Sequence, residues 1–300
     1  MKVSVITVNY KQAELTCQML RSLSKVECPD MEVIVVDNAS NNDDQSKIMQ
    51  EFPNINYVQS KQNVGFAGGN NIGIAAAKGD FLLLINNDTE LTPNCIKLLL
   101  QTFDQYPQAG VVCPKICYYE QPEKIQYVGY SRINPYTARN RTIGNGQIDK
   151  GQYPNTMPTH YAHGAAMMLK KEVIERVGKM PEEFFLYYEE LDWCEQIKKA
   201  GYQIYVNPQA RIYHKESMTT GKQSPLKTYY LTRNRILFMR RNANKYHWYC
   251  FVIFLMTITV PKNLLTYLLK AETQYIKPFW NAIRWNFVHE KHQPYFAARF

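Results

Sequence analysis

A single carboxylate, Asp88, follows an apolar run that is typical of a strand buried on both faces. The run covers residues 81–85, and Asn86 and Asn87 separate it from the acid. The C-terminal edge of a parallel sheet is where α/β folds bind their ligands. Oxygen ligands there suit Mg²⁺ or Mn²⁺ bridging a diphosphate, because these ions take carboxylate, carbonyl and water oxygens. The alternative is a polar strand end that turns into the next helix.

Three more carboxylates, Glu189, Glu190 and Asp192, open a predicted helix in the second half of the chain. An aromatic run at 184–188 precedes them. Acidic side chains at a helix N-terminus stabilise the helix dipole by ~0.3–1 kcal/mol each, so this arrangement by itself requires no function. The pattern alone leaves a structural and a catalytic interpretation open.

The elements that must position these acids alternate between strand and helix in the N-terminal part of the chain. Repeated β-α-β order predicts a parallel α/β sheet flanked by helices. The polar residues after each strand should then lie on one rim of the sheet. Periodicity predicts strands at 3–8, 32–37, 56–59 and 81–85, and helices at about 12–25, 44–51 and 69–78.

The polar residues on this rim are suited to a nucleotide. Asp37 can accept hydrogen bonds from a uracil or thymine imide or from a ribose hydroxyl, while Thr7 and Asn9 hold the base from the other side. The glycine-rich connection at 63–71 opens a helix whose free N–H groups could face a phosphate. The residues predicted to contact the nucleotide are Thr7, Asn9, Asp37, Asn38, Asn63, Gly65, Gly69, Asn70 and Asn87.

Each of these signals is weak when taken alone. The glycine spacing matches neither the dinucleotide fingerprint nor a Walker loop, which needs a Lys-Ser/Thr pair. The pair Asp37-Asn38, taken singly, is more often a turn or a helix cap than a binding site. The nucleotide interpretation therefore depends on the motifs being considered together.

Four segments in a fixed order resemble a known family. They are Ile-Thr-Val-Asn-Tyr at 6–10, Val-Val-Asp-Asn-Ala-Ser at 35–40, Asn-Val-Gly-Phe-Ala-Gly-Gly-Asn-Asn at 63–71 and Asn-Asn-Asp-Thr at 86–89. Together they resemble the inverting GT-A glycosyltransferases of family 2 type, in particular bacterial rhamnosyltransferase-like members. The resemblance implies a GT-A, Rossmann-like, mostly parallel sheet, a nucleoside diphosphate sugar donor, a divalent metal, and transfer to an acceptor hydroxyl with inversion.

The resemblance also assigns roles to the acids, with two departures from the family pattern. The family's metal motif is commonly Asp-x-Asp, and here Asn86 takes its first position, so Asp88 must supply the charge. Glu190 stands where the family's Glu-Asp-x-Asp motif has its general base, and Asp192 matches the following Asp. We therefore predict Glu190 as the base, with Asp192 as the alternative and Glu189 as a residue that positions backbone or acceptor.

His214 is the remaining candidate metal ligand. It lies at a predicted strand end before a Ser-, Thr- and Gly-rich loop, where it could complete the metal sphere or bind the departing diphosphate. Lys215 or Lys222 could neutralise the developing charge. A lone histidine is usually not a ligand, but the resemblance favours the metal role here. His163, in a turn that leads into a strand, is as compatible with a structural role as with a catalytic one.

The second half of the chain must supply the acceptor side. Residues 111–160 show little periodicity and are rich in Tyr, Pro, Gly and Asn, which predicts long loops and short strands around an acceptor groove. The expected division is 1–110 for the nucleotide-sugar half, 111–241 for the acceptor half with the base, and 242–300 for a helical tail. Further strands are predicted at 165–169, 203–206 and 211–213, and helices at 170–177, from 189 to Ala200-Gly201 and from Ser224-Pro225.

The composition agrees with a cytoplasmic enzyme. Seven cysteines without a repeated Cys-x-x-Cys pair predict no zinc site and a reducing compartment, and we expect no cleavable signal peptide. The net charge is +9, but the basic residues gather late and form no known nucleic-acid-binding pattern, so no nucleic acid partner is expected.

The basic residues from Arg233 to Lys245 precede an aromatic-rich apolar segment at 248–260. This pattern is typical of a protein that lies on an anionic membrane surface. A crossing helix needs about 20 apolar residues, and Pro261 ends this segment earlier, so we expect surface attachment without crossing. The protein would then be peripheral on the cytoplasmic face of the cell membrane. The alternative is a buried helix that docks on the core.

Together these features predict a glycosyltransferase that serves cell-surface polysaccharide synthesis, with a glycan or lipid-linked acceptor. The choice of dTDP-rhamnose or a UDP-sugar as donor depends on the resemblance alone. A nucleotidyltransferase would need a Gly-rich, basic signature near the N-terminus, which is missing after the first strand. A catalytically idle sugar-nucleotide-binding or scaffold protein would agree with Asn86 and Glu190, but the acids at 88, 189, 190 and 192 argue against it.

Overall fold

The computed structural model describes residues 1–28, 30–215 and 224–289. The N-terminal half alternates between strand and helix, and the four predicted strands are confirmed. The third helix begins at Gly65 rather than at 69. The elements are β1 Val3–Asn9, α1 Ala13–Leu23, β2 Met31–Asp37, α2 Asn42–Glu51, β3 Asn56–Gln59, α3 Gly65–Ala76, β4 Phe81–Ile85, β5 Thr89–Leu91 and α4 Cys95–Gln105.

The second half adds strands to the same sheet and carries two long helices. Residues 111–160 do not hold only loops and short strands, because a ten-residue strand occupies their start. The two short strands predicted at 203–206 and 211–213 are one strand with a register shift. The elements are β6 Ala109–Tyr118, β7 Ile125–Tyr127, β8 Met157–Pro158, β9 Ala166–Lys170, α5 Lys171–Val177, α6 Glu189–Lys199, β10 Gln203–His214 and α7 Pro225–Asn242.

One mixed sheet organises the molecule, in the order β3-β2-β1-β4-β9-β6-β10-β5. Strands β1 to β4 are parallel, β6 and β10 are parallel to each other, and β9 runs antiparallel between β4 and β6. The carboxyl ends of β1, β2, β4 and β10 therefore meet at one edge. Because β9 is antiparallel, the turn that leads into it reaches this same edge.

Helices cover the sheet by burying one face each. In α1, Ala13, Cys17 and Leu20 recur at helical spacing and are buried, while Arg21 on the other side pairs with Glu51 at 2.6 Å. All five residues of β4 are buried, as the unbroken apolar run predicts. The core thus holds rigid the central strand that carries Asp88 at its end.

The C-terminal segment forms α8 Lys245–Phe254, a π-helical turn Leu255–Thr259 and α9 Val260–Leu269, which together make one continuous helix of 25 residues. The expectation that Pro261 ends the segment is wrong. Proline lacks an N–H and crowds the carbonyl four residues back, and the π-helical turn before it absorbs both effects. By length and composition alone this helix is sufficient to cross a membrane, and most of it is exposed.

The last described helix, α10 Ile276–Val288, behaves differently and docks on the core. Its Phe279, Ala282 and Ile283 are buried. Asn286 donates a hydrogen bond of 3.0 Å to the carbonyl of Arg233 in α7. The two interpretations of the tail therefore apply to different helices, since α10 packs on the protein while α8 and α9 leave an apolar face uncovered.

Candidate active site

The carboxyl edge of the sheet brings together the polar residues that the strand ends supply. Asn9 ends β1, Asp37 ends β2, and His214 ends β10. Asp88 lies between β4 and β5. The backbone N–H of Asn86 donates to the carbonyl of Ala165 at 2.9 Å, which ties the Asp88 segment to the turn before β9.

Asn9 organises the nucleotide end of this edge. Its amide nitrogen lies 3.1 Å from Asp37 Oδ1, 3.2 Å from Ser40 Oγ and 2.9 Å from Asp44 Oδ2. The hydroxyl of Thr16 donates to Asn9 Oδ1 at 2.9 Å and itself accepts a bond from the Asn87 amide at 3.1 Å. The side chains of Asn9 and Asn87 thus hold Asp37 and Thr16 in place.

Asp37 is fully buried and retains capacity to accept further hydrogen bonds. Beyond Asn9, its Oδ2 accepts the backbone N–H of Ser40 at 3.1 Å. Two nearby hydroxyls, those of Thr7 and Tyr57, are buried and have no partner among the described residues. Burial, and after it the charges of Asp37 and Asp44, raise the pKa of the Tyr57 phenol. These groups could bind a nucleoside, and sequence reasoning missed Tyr57.

The glycine-rich connection is held by its own asparagines. Asn38 donates to Asn63 Oδ1 at 3.0 Å and accepts from the N–H of Val64 at 2.9 Å. Asn63 Oδ1 also accepts the N–H of Gly65 at 2.9 Å, and the N–H of Phe66 donates to the carbonyl of Phe185 at 2.7 Å. These amides are already bonded, so the prediction that the helix start turns them to a phosphate is wrong at these positions.

The glycines in this connection permit close packing. Gly65 has φ +77°, and a Cβ there would lie 2.3 Å from the carbonyl oxygen of Phe185. A Cβ on Gly69 would lie 2.8 Å from Val8 in β1. Asn70 is buried and donates to the carbonyl of Phe66 at 2.9 Å. The motif therefore joins the nucleotide half to the segment before α6.

Asp88 and His214 meet at the other end of the edge. The Nε2 atom of His214 lies 3.2 Å from Asp88 Oδ1, and both side chains are nearly buried. Within residues 1–28, 30–215 and 224–289, Asp88 Oδ1 nevertheless has no hydrogen-bond partner. His214 Nδ1 lies 2.9 Å from Gln126 Oε1. With that oxygen as acceptor, Nδ1 carries the proton and the lone pair of Nε2 faces the carboxylate.

In that tautomer Asp88 Oδ1 and His214 Nε2 both offer lone pairs and could hold a cation, whereas a protonated Nε2 would pair directly with the carboxylate. Carboxylate oxygen and imidazole nitrogen are both ligands of Mn²⁺-type ions, and a His whose other nitrogen donates to a fixed acceptor is typical of metal sites. No group of three or more His, Cys, Asp or Glu side chains that could hold a metal occurs within residues 1–28, 30–215 and 224–289. A metal here would need oxygens of a bound diphosphate or water.

His163 lies beside this pair, in the turn before β9. Its Nδ1 accepts the N–H of Ala165 at 3.1 Å, and its ring stacks on Tyr130 with centroids 5.8 Å apart. The ring centroid of His214 is 6.1 Å away. Burial and the neighbouring His214 lower the pKa of His163 to about 3, partly opposed by Asp88, so the ring is neutral. The next residue, Gly164, lies close in space to Glu190 of α6.

Glu190 and Glu189 each have a buried carboxylate oxygen without a hydrogen-bond partner among the described residues, and Glu190 is the one beside the turn at 163–165. A Cβ on Gly164 would lie 3.9 Å from the carboxyl carbon of Glu190. The Oε2 atom of Glu190 is shielded from solvent and has no hydrogen-bond partner in the part of the chain that the structure describes. Burial raises the pKa of Glu190 to about 7, although backbone N–H groups of residues 188, 190 and 191 act against this. Glu189 is buried beside it, and burial and the Glu190 charge raise the Glu189 pKa well above its ordinary value.

Asp192 is fully buried and engaged in an ion pair. Arg241 donates from Nε and Nη2 to the two carboxylate oxygens, each at 3.0 Å, and Asn242 donates to Oδ1 at 2.6 Å. Arg241 also contacts Glu183. This arrangement supports a structural role for Asp192 and leaves Glu190 as the acid that can take up a proton.

The loop that presents these acids is strained and is held from α7. Phe185, Tyr187 and Tyr188 have φ values of +63°, +70° and +74°, which bulky residues rarely adopt. The amide of Asn234 donates to three carbonyls of the loop, those of Phe184, Leu186 and Tyr187, at 2.7 to 2.9 Å. The Arg-Asn pair at 233–234, noted in the sequence only as part of a motif, thus holds the loop that leads into Glu189 and Glu190.

The basic cluster of α7 is not a surface patch, contrary to expectation. Arg233 is fully buried and donates to the carbonyls of Glu183 and Phe184. Arg240 donates to the carbonyl of His289 at 3.2 Å, and Arg241 binds Asp192. The charges of Arg233, Arg240 and Arg241 therefore serve packing.

The lysines proposed to neutralise a leaving group divide between two cases. Lys215 already binds Glu90 at 3.0 Å and also donates to Gln18. Its side chain is nearly buried. Lys222, with the loop at 216–223, lies outside the described residues. Lys215 therefore offers less free charge to a diphosphate than predicted.

Comparisons with known proteins identify the family. The Glycosyl transferase family 2 model matches residues 4–178. A low-salt glycan biosynthesis hexosyltransferase, Agl10, of Haloferax volcanii is 30% identical over 242 residues, which are 78% of this chain and 74% of the relative. An N-acetylglucosaminyl-diphospho-decaprenol L-rhamnosyltransferase of Mycobacterium tuberculosis is 23% identical over 238 residues, covering 73% and 77%.

A solved structure supports the fold. A mannosyltransferase from Pyrobaculum calidifontis in complex with GDP-Man and Mn²⁺ superposes with a TM-score of 0.58 at 14% identity, covering 96% of this chain and 87% of that one. The predicted fold, a GT-A, Rossmann-like sheet flanked by helices with a C-terminal helical tail, is therefore confirmed.

Proposed function

We propose, from the premise that this chain belongs to glycosyl transferase family 2, that it is an inverting, metal-dependent hexosyltransferase. It moves a sugar from a nucleoside diphosphate donor to a hydroxyl of a glycan or lipid-linked acceptor in cell-surface polysaccharide synthesis. Relatives named as hexosyl- and rhamnosyltransferases support this class. The donor is dTDP-rhamnose or a UDP-sugar.

The nucleoside binds at the ends of β1 to β3. The buried carboxylate of Asp37 accepts the imide N–H of uracil or thymine, or a ribose hydroxyl, and Asn9 holds that carboxylate in place. The free hydroxyls of Thr7 and Tyr57 supply further contacts. A buried carboxylate with spare acceptor capacity favours a ligand that donates hydrogen bonds.

Asp88 and His214 would hold Mg²⁺ or Mn²⁺ at the donor diphosphate. The unpartnered Oδ1 of Asp88 and the facing Nε2 of His214 are the observations that support this. Such an ion stabilises negative charge on a leaving diphosphate. Gln126, as the partner of His214 Nδ1, keeps the imidazole in the tautomer that a ligand needs.

Glu190 acts as the general base. The acceptor hydroxyl attacks C1 of the sugar from the face opposite the diphosphate, so the new C1–O bond forms as the bond to the diphosphate oxygen breaks. The hydroxyl proton passes to the Glu190 carboxylate in the same step, because an alcohol is too weak an acid to lose it beforehand. A base whose pKa lies near neutrality is suited to this transfer.

One observation carries the proposal. The short turn at 163–165 borders both Asp88, through the bond from the N–H of Asn86, and Glu190, through Gly164. The turn therefore links the segment proposed to hold the leaving group with the proposed base, which supports an in-line displacement between them.

A panel of nucleotide sugars with Mg²⁺ or Mn²⁺ tests the donor class. A ligand at 100 times its dissociation constant stabilises the native state by ~2.7 kcal/mol, which a thermal shift detects. We expect stabilisation by dTDP- or UDP-sugars that EDTA weakens, and slow release of nucleoside diphosphate. Binding without any release would favour the idle sugar-nucleotide-binding protein, and no binding at all would refute both.

The cytoplasmic membrane face is the proposed location. Two features were expected to attach the protein to the membrane, an apolar face and a basic cluster. The apolar face of α8 and α9 is available, because Ile253, Ile258 and Leu265 are exposed. Arg233 and Arg241 of the basic cluster are instead engaged inside the protein. Exposed lysines on the tail, Lys245, Lys262, Lys270 and Lys277, can still attract anionic lipid.

A further inference from the structure

Two arginines outside the machinery described above have no carboxylate partner. Arg235 on α7 donates to the carbonyl of Thr137, while its Nε is buried and bonds to nothing. Arg139 lies in a turn before β8 and is exposed. Across the described ranges 1–28, 30–215 and 224–289, neither guanidinium has an acid within 4.0 Å.

The two guanidinium groups lie along one turn of α8. Arg235 is 6.0 Å from the ring centre of Phe251, and Arg139 is 5.9 Å from the ring centre of Phe254. Burial lowers the pKa of Arg235, and the Arg139 charge acts in the same direction. A partly desolvated cation, Arg235, beside a second cation and without a counter-ion is unfavourable alone, and an anion between the two removes the repulsion.

This pair also acts on the segment that carries the proposed base. Tyr188, two residues before Glu190, has its pKa raised to about 12 by burial, and Arg235, Arg139 and Glu190 all act on it electrostatically. The turn that carries Arg139 also meets the start of α8, since the ring of Tyr136 packs edge-on against His247 at 5.2 Å. The pair thus lies between the acids of α6 and the exposed apolar helix.

We propose that Arg139 and Arg235 bind the phosphate groups of a lipid-linked acceptor, whose hydrocarbon chain lies along the exposed face of α8 and α9. The inference rests on the proposed function. The forked donors of arginine match phosphate oxygens, and no metal is needed. The donor diphosphate belongs at Asp88 and His214, on the far side of the turn at 163–165.

The arrangement explains how an acceptor sugar would reach the base. A phosphate held beside Tyr188 places the sugar attached to it next to Glu190, while the apolar chain points along α8. The phosphate would then lie at Arg139 and Arg235, the sugar at Glu190, and the lipid chain on the exposed apolar face of α8 and α9. No covalent change occurs at the arginines, which only bind and orient.

Binding of farnesyl diphosphate, measured by calorimetry in EDTA, tests the site. EDTA removes metal from the donor site, so a diphosphate has little reason to bind there. We expect Arg139→Gln to weaken binding at least about 10-fold, since a lost bond between charged groups has an effect of this size. Arg141→Gln, a change of another exposed arginine two residues away, is the matched control and should bind like the unaltered protein.

Three further ligand and variant comparisons decide the chemistry. Farnesol, which lacks phosphate, should bind much more weakly, and inorganic pyrophosphate should bind through the same arginines but less tightly than farnesyl diphosphate. Arg235→Lys, which keeps the charge but not the fork, should also weaken binding. Equal affinities of Arg139→Gln and Arg141→Gln for farnesyl diphosphate would overturn the proposal, as would equal affinities of the unaltered protein for farnesol and farnesyl diphosphate. If pyrophosphate binds as tightly as farnesyl diphosphate, the hydrocarbon chain makes no contribution and the lipid part of the proposal is wrong.

The readout is independent of turnover. A protein that binds farnesyl diphosphate through Arg139 yet releases no nucleoside diphosphate would refute the proposed enzyme while leaving the phosphate site intact. A protein that turns over donor but binds farnesyl diphosphate without Arg139 would refute only the site.

Discussion

Arg241 holds the carboxylate of Asp192 with two hydrogen bonds of 3.0 Å each, from Nε and Nη2. Both side chains lie where α6 meets α7, and Asp192 has no exposed surface. A carboxylate that accepts a bidentate bond from an arginine is stabilised in its charged form, and its orientation is fixed by the guanidinium. This pair separates the two candidate bases, because Glu190 has no such partner.

Asp192→Asn should therefore reduce stability more than catalysis. Removing one member of a buried ion pair costs up to roughly 3–5 kcal/mol, and here Arg241 would keep only its contact with Glu183 as counter-charge. We expect a large fall in the free energy of unfolding by denaturant titration. Molecules that remain folded should keep their catalytic rate within about tenfold, and a folded but inactive variant would make Asp192 the base.

Asp88→Ala should abolish metal-supported turnover and leave the fold intact, because Asp88 lies at a strand end and not in the core. Losing the ion removes several kcal/mol of stabilisation from the leaving diphosphate. Activity with and without EDTA, together with circular dichroism, checks this. Turnover that survives both EDTA and the substitution would exclude the metal site.

Asn234→Ala should lower both stability and the catalytic rate. The amide holds three carbonyls of the strained loop at 184–187, and leaving buried groups unpaired costs ~1–3 kcal/mol. The loop then relaxes and displaces Glu190, so kcat falls while donor affinity is retained.

Asn244→Ala is the matched control for this prediction. Asn244 caps α8 by accepting the N–H of His247 at 2.9 Å, so its loss costs ~1 kcal/mol away from the base. If both variants lose equal stability and neither loses kcat, the loop does not depend on Asn234.

Liposome flotation tests membrane attachment. The full-length chain should float with anionic vesicles, and salt should weaken the binding only in part, because the apolar face contributes beside the ~1 kcal/mol of each surface lysine. Replacing Ile253, Ile258 and Leu265 by Ser should abolish flotation. A chain that stays in the soluble fraction at low salt would assign α8 and α9 to packing or oligomerisation.

The strands of the first half could be predicted because their signals are local. Apolar runs such as 81–85 and the polar residues after them reveal the sheet edge without knowledge of the partners. The strand β6 is not predicted from the sequence because Pro114 and Lys115 interrupt its apolar run, and proline is rare inside a strand. Pro261 was taken as a helix end because the π-helical turn before it has no sequence signature.

The site divides in the same way. The sequence indicated Asp88, His214 and the acids at 189–192 as separate groups, but it could not show that the turn at 163–165 connects them. The pairing of Arg241 with Asp192 joins two helices, so no spacing rule reveals it. The arginines of α7 looked like a surface patch because their partners are mostly backbone carbonyls far away in sequence.

Glu190 should give the reaction its pH dependence. Burial raises the Glu190 pKa from 4.5 to about 7, so the base is protonated and inactive at lower pH. The rate should rise about tenfold per pH unit below 7 and level off above it. The raised pKa also means that folding stability is greatest below pH 4.5 with respect to this group and is lost as pH rises through 7.

The direct measurement of the central claim is the release of nucleoside diphosphate by Glu190→Gln compared with the unaltered protein, in the same donor and metal at pH 8. The account predicts a rate lower by ~10²–10⁴-fold, unchanged donor affinity and a more stable fold, because the amide resembles the protonated acid without its burial cost. A Glu190→Gln protein that keeps the full rate would contradict the assignment of Glu190 as the base.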